Sequence, residues 1–154
     1  MKIMVIDGNS IINRAYHGIR PLSNHEGTPT NAVYGFANML VKLIDDYSPR
    51  YIAVAFDMKA KTFRHKLYDG YKATRRGMPD ELASQLPLLK EMLDKMGIRY
   101  IESEGVEADD IIGTLATRHA LTTYILTGDR DSFQLISDNV TVLFTKRGIS
   151  EVSA

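Results

Sequence analysis

Asp7, Asp57, Asp129 and Asp131 each follow a short apolar run, and Glu107, Asp109 and Asp110 open an amphipathic one. Read as strands and a helix, these runs deliver seven carboxylates to one edge of a sheet. In open parallel sheets, ligand sites collect outside the carboxyl ends of the strands. Glu107 and Asp110 are three residues apart and share a helix face. So many anions in one place raise one another's pKa and oppose folding unless a cation sits among them. A hard divalent ion is the expected answer. Magnesium, or manganese in its place, takes oxygen ligands and keeps several waters. Two such ions about 3.5–4 Å apart can activate a water and stabilise the leaving oxygen in phosphodiester hydrolysis. Taken singly, each acid also has a plainer use. Asp7 before Gly8-Asn9-Ser10 could cap a turn or helix. The acids at 107–110 suit a first helical turn, and Asp129-Arg130-Asp131 suits a turn or helix cap.

A basic segment lies next to these acids. From Lys59 to Arg76 there are seven bases (Lys59, Lys61, Arg64, Lys66, Lys72, Arg75, Arg76) and one acid, Asp69, whereas Glu102 to Asp110 holds five acids and no base. The formal net charge of zero, from 19 basic and 19 acidic residues, hides this segregation. Lysine and arginine neutralise phosphates, and tyrosine rings such as Tyr71 stack on unpaired bases. Lys72 or Arg75 could stabilise transition-state charge. On charge alone, two unrelated solvated faces would look the same.

The elements that must position these residues can be read from periodicity. Strands are predicted at Lys2–Ile6, Tyr51–Phe56, Arg99–Glu102, Thr123–Leu126 and Val140–Phe144. Helices are predicted at Tyr34–Tyr47, across Asp80–Met96 as two pieces with Pro87 in a first turn, and from Glu107 to about His119. A short helix runs through Phe133–Ile136, and Met58–Pro79 reads as a long excursion with short helices. Strands alternating with helices imply an α/β fold with a mostly parallel sheet. The 154 residues suit one domain, 1–154, with 44% hydrophobic and 25% charged residues. The chain has no cysteine, which excludes disulfides and thiolate metal sites. No apolar run approaches the roughly 20 residues of a membrane span, and the start reads as a strand rather than a signal peptide. The cytoplasm is the expected compartment and a monomer the expected state. The last ten residues, TKRGISEVSA, carry no closing signal, so the chain is expected to be cut there.

Val5-Ile6-Asp7-Gly8-Asn9, Ala32-Val33-Tyr34-Gly35-Phe36, Ala55-Phe56-Asp57, Phe63-Arg64-His65, Tyr71-Lys72-Ala73 with Arg75, Glu107-Ala108-Asp109-Asp110 and Thr127-Gly128-Asp129-Arg130-Asp131 occur in this order. The series resembles the 5′-nuclease domain of bacterial DNA polymerase I and its relatives, the flap endonucleases, from Lys2 to about Phe144. The resemblance implies a PIN-like α/β fold with a basic helical arch and two divalent metal sites. It makes Asp7, Asp57, Glu107, Asp109, Asp129 and Asp131 ligands, directly or through water, with Asp110 in the same acidic shell. Arg64, Tyr71, Lys72, Arg75 and the adjoining Arg76 would contact a 5′ strand or flap of DNA, with Lys72 the candidate for electrostatic help at the scissile phosphate. A further acidic motif and a helix–hairpin–helix-like element, present in the family, lie beyond this chain's last strand. The resemblance therefore implies a nearly complete first metal site, a deficient second one and weak duplex binding, with a polymerase domain in the parent protein.

Other classes explain fewer residues. A Toprim-type nuclease would use a glutamate with Asp129 and Asp131, leaving Asp7 and Asp57 without a role. A PIN-type ribonuclease has fewer acids and no basic excursion. A haloacid-dehalogenase phosphatase needs an aspartate two after Asp7, where Asn9 stands. A DNA-binding module that does not cut is the non-enzyme alternative, and neutralising its acids would leave binding intact.

Overall fold

Residues 1–58, 78–146 and 148–154 are described by the computed structural model. The basic segment 59–77, with Arg64, Tyr71, Lys72, Arg75 and Arg76, and the expected arch therefore lie outside the described residues.

Among the described residues six strands form one sheet: β1 (Lys2–Asp7), β2 (Tyr51–Ala55), β3 (Arg99–Ile101), β4 (Thr122–Thr127), β5 (Val140–Phe144) and β6 (Ser150–Val152). Their order is β3-β2-β1-β4-β5-β6. The first five are mutually parallel, and β6 runs antiparallel to β5. This is the mostly parallel α/β sheet that the alternating pattern predicts. β1 is buried along nearly its whole length, as expected where helices cover both faces. Its side chains alternate between two cores. Met4 and Ile6 join Ile11, Ile12, Phe36, Leu40, Leu89 and Leu93 on one side. Ile3 and Val5 join Ile111, Ile112, Ala116, Ile125 and Val142 on the other.

The first core is covered by α1 (Gly8–Gly18), α2 (Asn31–Tyr47), α3 (Asp80–Ala83) and α4 (Leu86–Met96). The second is covered by α5 (Ala108–Thr117) and a 3-10 turn at Arg130–Leu135. Local chemistry sets the helix ends. Pro87 lies in the first turn of α4, where it has no amide bond to lose, and α4 stops at Gly97, whose φ is 72°. Thr30 makes no side-chain cap for α2. Instead the buried Gln85 Oε1 accepts the Ala32 and Val33 N–H groups at 2.8 and 3.1 Å. Gln85 Nε2 in turn donates to Asn31 Oδ1, and Asn31 Nδ2 donates to the carbonyls of Tyr16 and Ile19 at the end of α1.

Three elements depart from the sequence expectation. Helix α1 is absent from the periodicity reading, because Asp7-Gly8-Asn9-Ser10 fits a turn as well as a helix cap. Asp7 is in fact its N-cap, and Ile11, Ile12 and Ala15 are its buried stripe. The final ten residues, expected to carry no closing element, supply edge strand β6, paired with β5 from Val142–Val152 to Phe144–Ser150. The short helix expected through Phe133–Ile136 starts earlier, at Arg130, and has 3-10 geometry.

Candidate metal centre

The chain leaves β1 for β2 and β3 on one side, then returns to place β4 on the other side of β1. Connections departing in opposite directions open a crevice at the carboxyl end of β1. Asp7 ends β1 there, and Thr127-Gly128-Asp129 leaves β4 beside it. Asp57 follows β2 by two residues, extended by the Phe56 N–H bond to the Ile101 carbonyl. The amino end of α5 brings Glu107, Asp109 and Asp110 to the same edge.

Asp7 is buried, with 5% of its surface exposed. Its Oδ1 accepts the Ser10 N–H at 3.3 Å, and its Oδ2 accepts the Thr127 hydroxyl at 2.9 Å. Burial pushes its pKa up to about 6, with Asp109 and Asp57 adding repulsion and the two hydrogen bonds opposing the rise. Asp57 is exposed. Its Oδ1 accepts the Ala108 N–H at 2.6 Å, at the positive end of the α5 dipole, and its own N–H donates to Asn9 Oδ1 at 2.8 Å. Asp129 caps the 3-10 turn by accepting the Asp131 N–H at 2.9 Å, while its own N–H donates to Thr127 Oγ1 at 3.0 Å.

Among the described residues, Asp109, Asp129 and Asp131 form a tight group. One carboxylate oxygen from each lies within 4.8 Å of the others. Asp7 is joined to this set through Thr127 and through its repulsion from Asp109, and Asp57 is joined to it through the start of α5. Glu107 and Asp110 form the capping box of α5: the Asp110 carboxylate accepts the Glu107 N–H at 3.3 Å, and Glu107 accepts in return. Among the described residues no lysine or arginine forms an ion pair with Asp7, Asp129 or Asp131. An all-oxygen donor set this tight, with a buried carboxyl behind it, fits a hard divalent cation.

Three supporting residues carry no role in the sequence reading. Ser10 Oγ accepts the Gly128 N–H at 2.8 Å and so ties the turn after β4 to α1. Asn9 holds the Asp57 backbone. Thr127 links Asp7 to Asp129. All three stand inside motifs singled out for their acids, but their partners are 48 to 120 residues away except for the Thr127–Asp129 bond. Close packing holds the first turn of α1. A Cβ at Gly8 would lie 2.5 Å from Phe56 Cε1 and 2.9 Å from the Ala55 carbonyl oxygen.

A family model described as "5′-3′ exonuclease, N-terminal resolvase-like domain" matches residues 2–153. DNA polymerase I of Mycobacterium tuberculosis is 46% identical over 157 residues, covering 98% of this chain and 17% of that protein. DNA polymerase I of Bacillus subtilis is 44% identical over 154 residues, covering 98% and 18%. The chain thus spans less than a fifth of the length of these relatives. Among solved structures, a T5 5′-exonuclease with bound zinc superposes with a TM-score of 0.72 at 21% identity, covering 99% of this chain and 58% of that one. The catalytic core of Rad2 in complex with a DNA substrate gives 0.55 at 18% identity, covering 97% and 46%. The fold is shared with both: a mostly parallel sheet of the PIN-like, resolvase-like kind.

Proposed function

This chain belongs to the 5′-3′ exonuclease family, as its N-terminal resolvase-like domain, and from that premise we propose that it is the metal-holding part of a nuclease that hydrolyses DNA phosphodiester bonds at 5′ ends or flaps. The observation that carries the proposal is the convergence of Asp109, Asp129 and Asp131 within 4.8 Å, at the edge where Asp7 and Asp57 leave their strands. Asp7, Asp57, Glu107, Asp109, Asp110, Asp129 and Asp131 are the residues proposed to hold Mg2+ or Mn2+, directly, through water, or by supporting a direct ligand. Divalent cations bound there would supply water acidified enough to attack at neutral pH and positive charge against the phosphate oxygens.

The chain's own residues do the rest. Asp7 is held in one orientation by two hydrogen bonds, so its carboxylate is preorganised rather than recruited. Asp57 is pinned from both sides, by Asn9 through its backbone and by the amino end of α5 through its side chain. Hydrolysis cleaves the bond between phosphorus and the 3′ oxygen, which leaves as a hydroxyl while the phosphate stays on the 5′ side of the other product. Lys72 and Arg75 are proposed to neutralise charge that develops on the phosphate. Arg64, Tyr71 and Arg76 are proposed to hold the 5′ strand by charge and stacking. A polymerase domain is proposed for the parent protein, as in the relatives named above, and the chain itself is proposed to be monomeric.

Cleavage of a labelled 5′-flap DNA by the purified chain tests this, with magnesium or manganese, with chelator, and with Asp129→Ala. The expected result is cutting that requires both the cation and Asp129. A folded chain that binds the cation but does not cut would mean that acids beyond those of the first metal site are needed for turnover, and one that binds the flap equally well with and without Asp129 and never cuts it would instead be a DNA-binding module.

A further inference from the structure

Thr127 is fully buried at the carboxyl end of β4, beside the carboxyl end of β1. A hydroxyl has one proton to give and lone pairs to receive with. Here both uses are fixed. The Asp129 N–H, a pure donor, points at Thr127 Oγ1 at 3.0 Å, so the hydroxyl acts as acceptor there. Its single proton then goes to Asp7 Oδ2 at 2.9 Å. The Thr127 carbonyl accepts the Thr145 N–H at 3.1 Å and the Thr145 hydroxyl at 3.4 Å, which ties the residue to the end of β5 as well. One side chain therefore sets the angle of the Asp7 carboxylate and the path of the backbone that carries Asp129. Neither residue bonds directly to the other in these contacts.

We propose that Thr127 is a positioning residue for divalent-cation binding: its hydroxyl couples Asp7 on β1 to Asp129 after β4, so that the two carboxylates present their free lone pairs together. This rests on the reading of the acidic cluster as a metal centre. Residues behind metal ligands commonly change affinity by about 10- to 100-fold when removed. Thr127→Val keeps the shape and β-branching of threonine but leaves the Asp7 oxygen and the Asp129 N–H without their shared partner. Thr127→Ser keeps the hydroxyl. Thr123 offers a control on the same strand: it is equally buried, and its hydroxyl donates to the Leu121 carbonyl at 3.1 Å, at the far end of β4.

The test is Mn2+ binding to the folded 154-residue chain, followed by the loss of the free-ion electron paramagnetic resonance signal, with circular dichroism as the check on folding. Thr127→Val is expected to weaken binding by at least about tenfold, Thr127→Ser to stay within a few-fold of the parent, and Thr123→Val to match the parent. Thr127→Cys, whose thiol donates only weakly, is expected to behave like Thr127→Val and serves if that variant does not fold. Equal binding by the parent, Thr127→Val and Thr127→Cys would overturn the positioning role while leaving the metal centre intact. A parent chain that binds no Mn2+ at all would overturn the metal centre, and this inference with it.

Discussion

Asp7 has two hydrogen-bond donors and no basic side chain paired with it among the described residues, in a position only 5% exposed. Its folded-state pKa of about 6 stands above the ordinary 3.8, chiefly because burial disfavours the charge. A raised carboxyl pKa means that the folded chain holds the proton more tightly than the unfolded chain. The stability it contributes is present in full below about pH 4 and is lost as the pH rises through about 6. At about 1.4 kcal/mol per pH unit this comes to about 3 kcal/mol. Urea unfolding in chelator should therefore show this loss between pH 4 and pH 7, and saturating magnesium should restore stability at pH 7, where the carboxylate is ionised. A profile in chelator that rises over that window would contradict the assignment. Within the cluster, Asp131→Asn is expected to weaken Mn2+ binding by about tenfold or more while unfolding at nearly the parental urea concentration, a split that a purely structural aspartate would not give. The carboxylates were legible in the sequence because each follows an apolar strand or opens a helix, and those positions map onto one sheet edge. Thr127, Ser10 and Asn9 were not, because what they do depends on partners that only the folded chain brings near. Lys72, Arg75, Arg64, Tyr71 and Arg76 remain candidates on sequence grounds, since they fall outside the described residues.

Elements carry the next constraint. Gly8 opens α1 directly after Asp7 and packs against Phe56, which directly precedes Asp57. Gly8→Ala would drive a methyl into the Phe56 ring and the Ala55 carbonyl, and overpacking of this kind costs about 1–3 kcal/mol. Because the clash separates β1 from β2 at the end that bears the carboxylates, the variant should also bind Mn2+ more weakly. Unfolding and binding measured on one sample would show both losses; an unchanged variant would mean that the close approach is not required. Gln85 makes a second test. Gln85→Leu strands the Ala32 and Val33 N–H groups and Asn31 Oδ1 in the core, and each buried orphan costs about 1–3 kcal/mol. With three partners stranded, a loss of about 3 kcal/mol or more is expected, read from the shift of the urea midpoint. Helices with long apolar stripes, such as α2 and α4, were legible from periodicity, and Pro87 and Gly97 marked the limits of α4. Helix α1 was obscured because its cap, Asp7, sits in a Gly-Asn-Ser run that also encodes a turn. The Asn31–Gln85 pair was not legible, because a glutamine in a polar stretch gives no sign that it will cap another helix 52 to 53 residues away.

Across the whole molecule, function depends on strand order. Placing β1 between β2 and β4 brings four separate stretches of sequence to one crevice, which no local pattern could do. Alternation of strands and helices made the parallel sheet legible, but it did not specify which strands are neighbours. The closing strand β6 is three residues long, too short for a period-2 pattern to stand out. Among the described residues no helix is long and apolar enough to cross a membrane, in keeping with a chain whose apolar surface goes into two cores about one sheet. The central claim is that this sheet edge holds a divalent cation between Asp109, Asp129 and Asp131. Crystals of the chain soaked in manganese, with diffraction collected to reveal anomalous scattering, test it most directly. The account predicts an anomalous peak within coordinating distance of carboxylate oxygens of those three residues, lost in Asp129→Ala. A map with no peak at that edge, or with manganese only on unrelated surface acids, would contradict it.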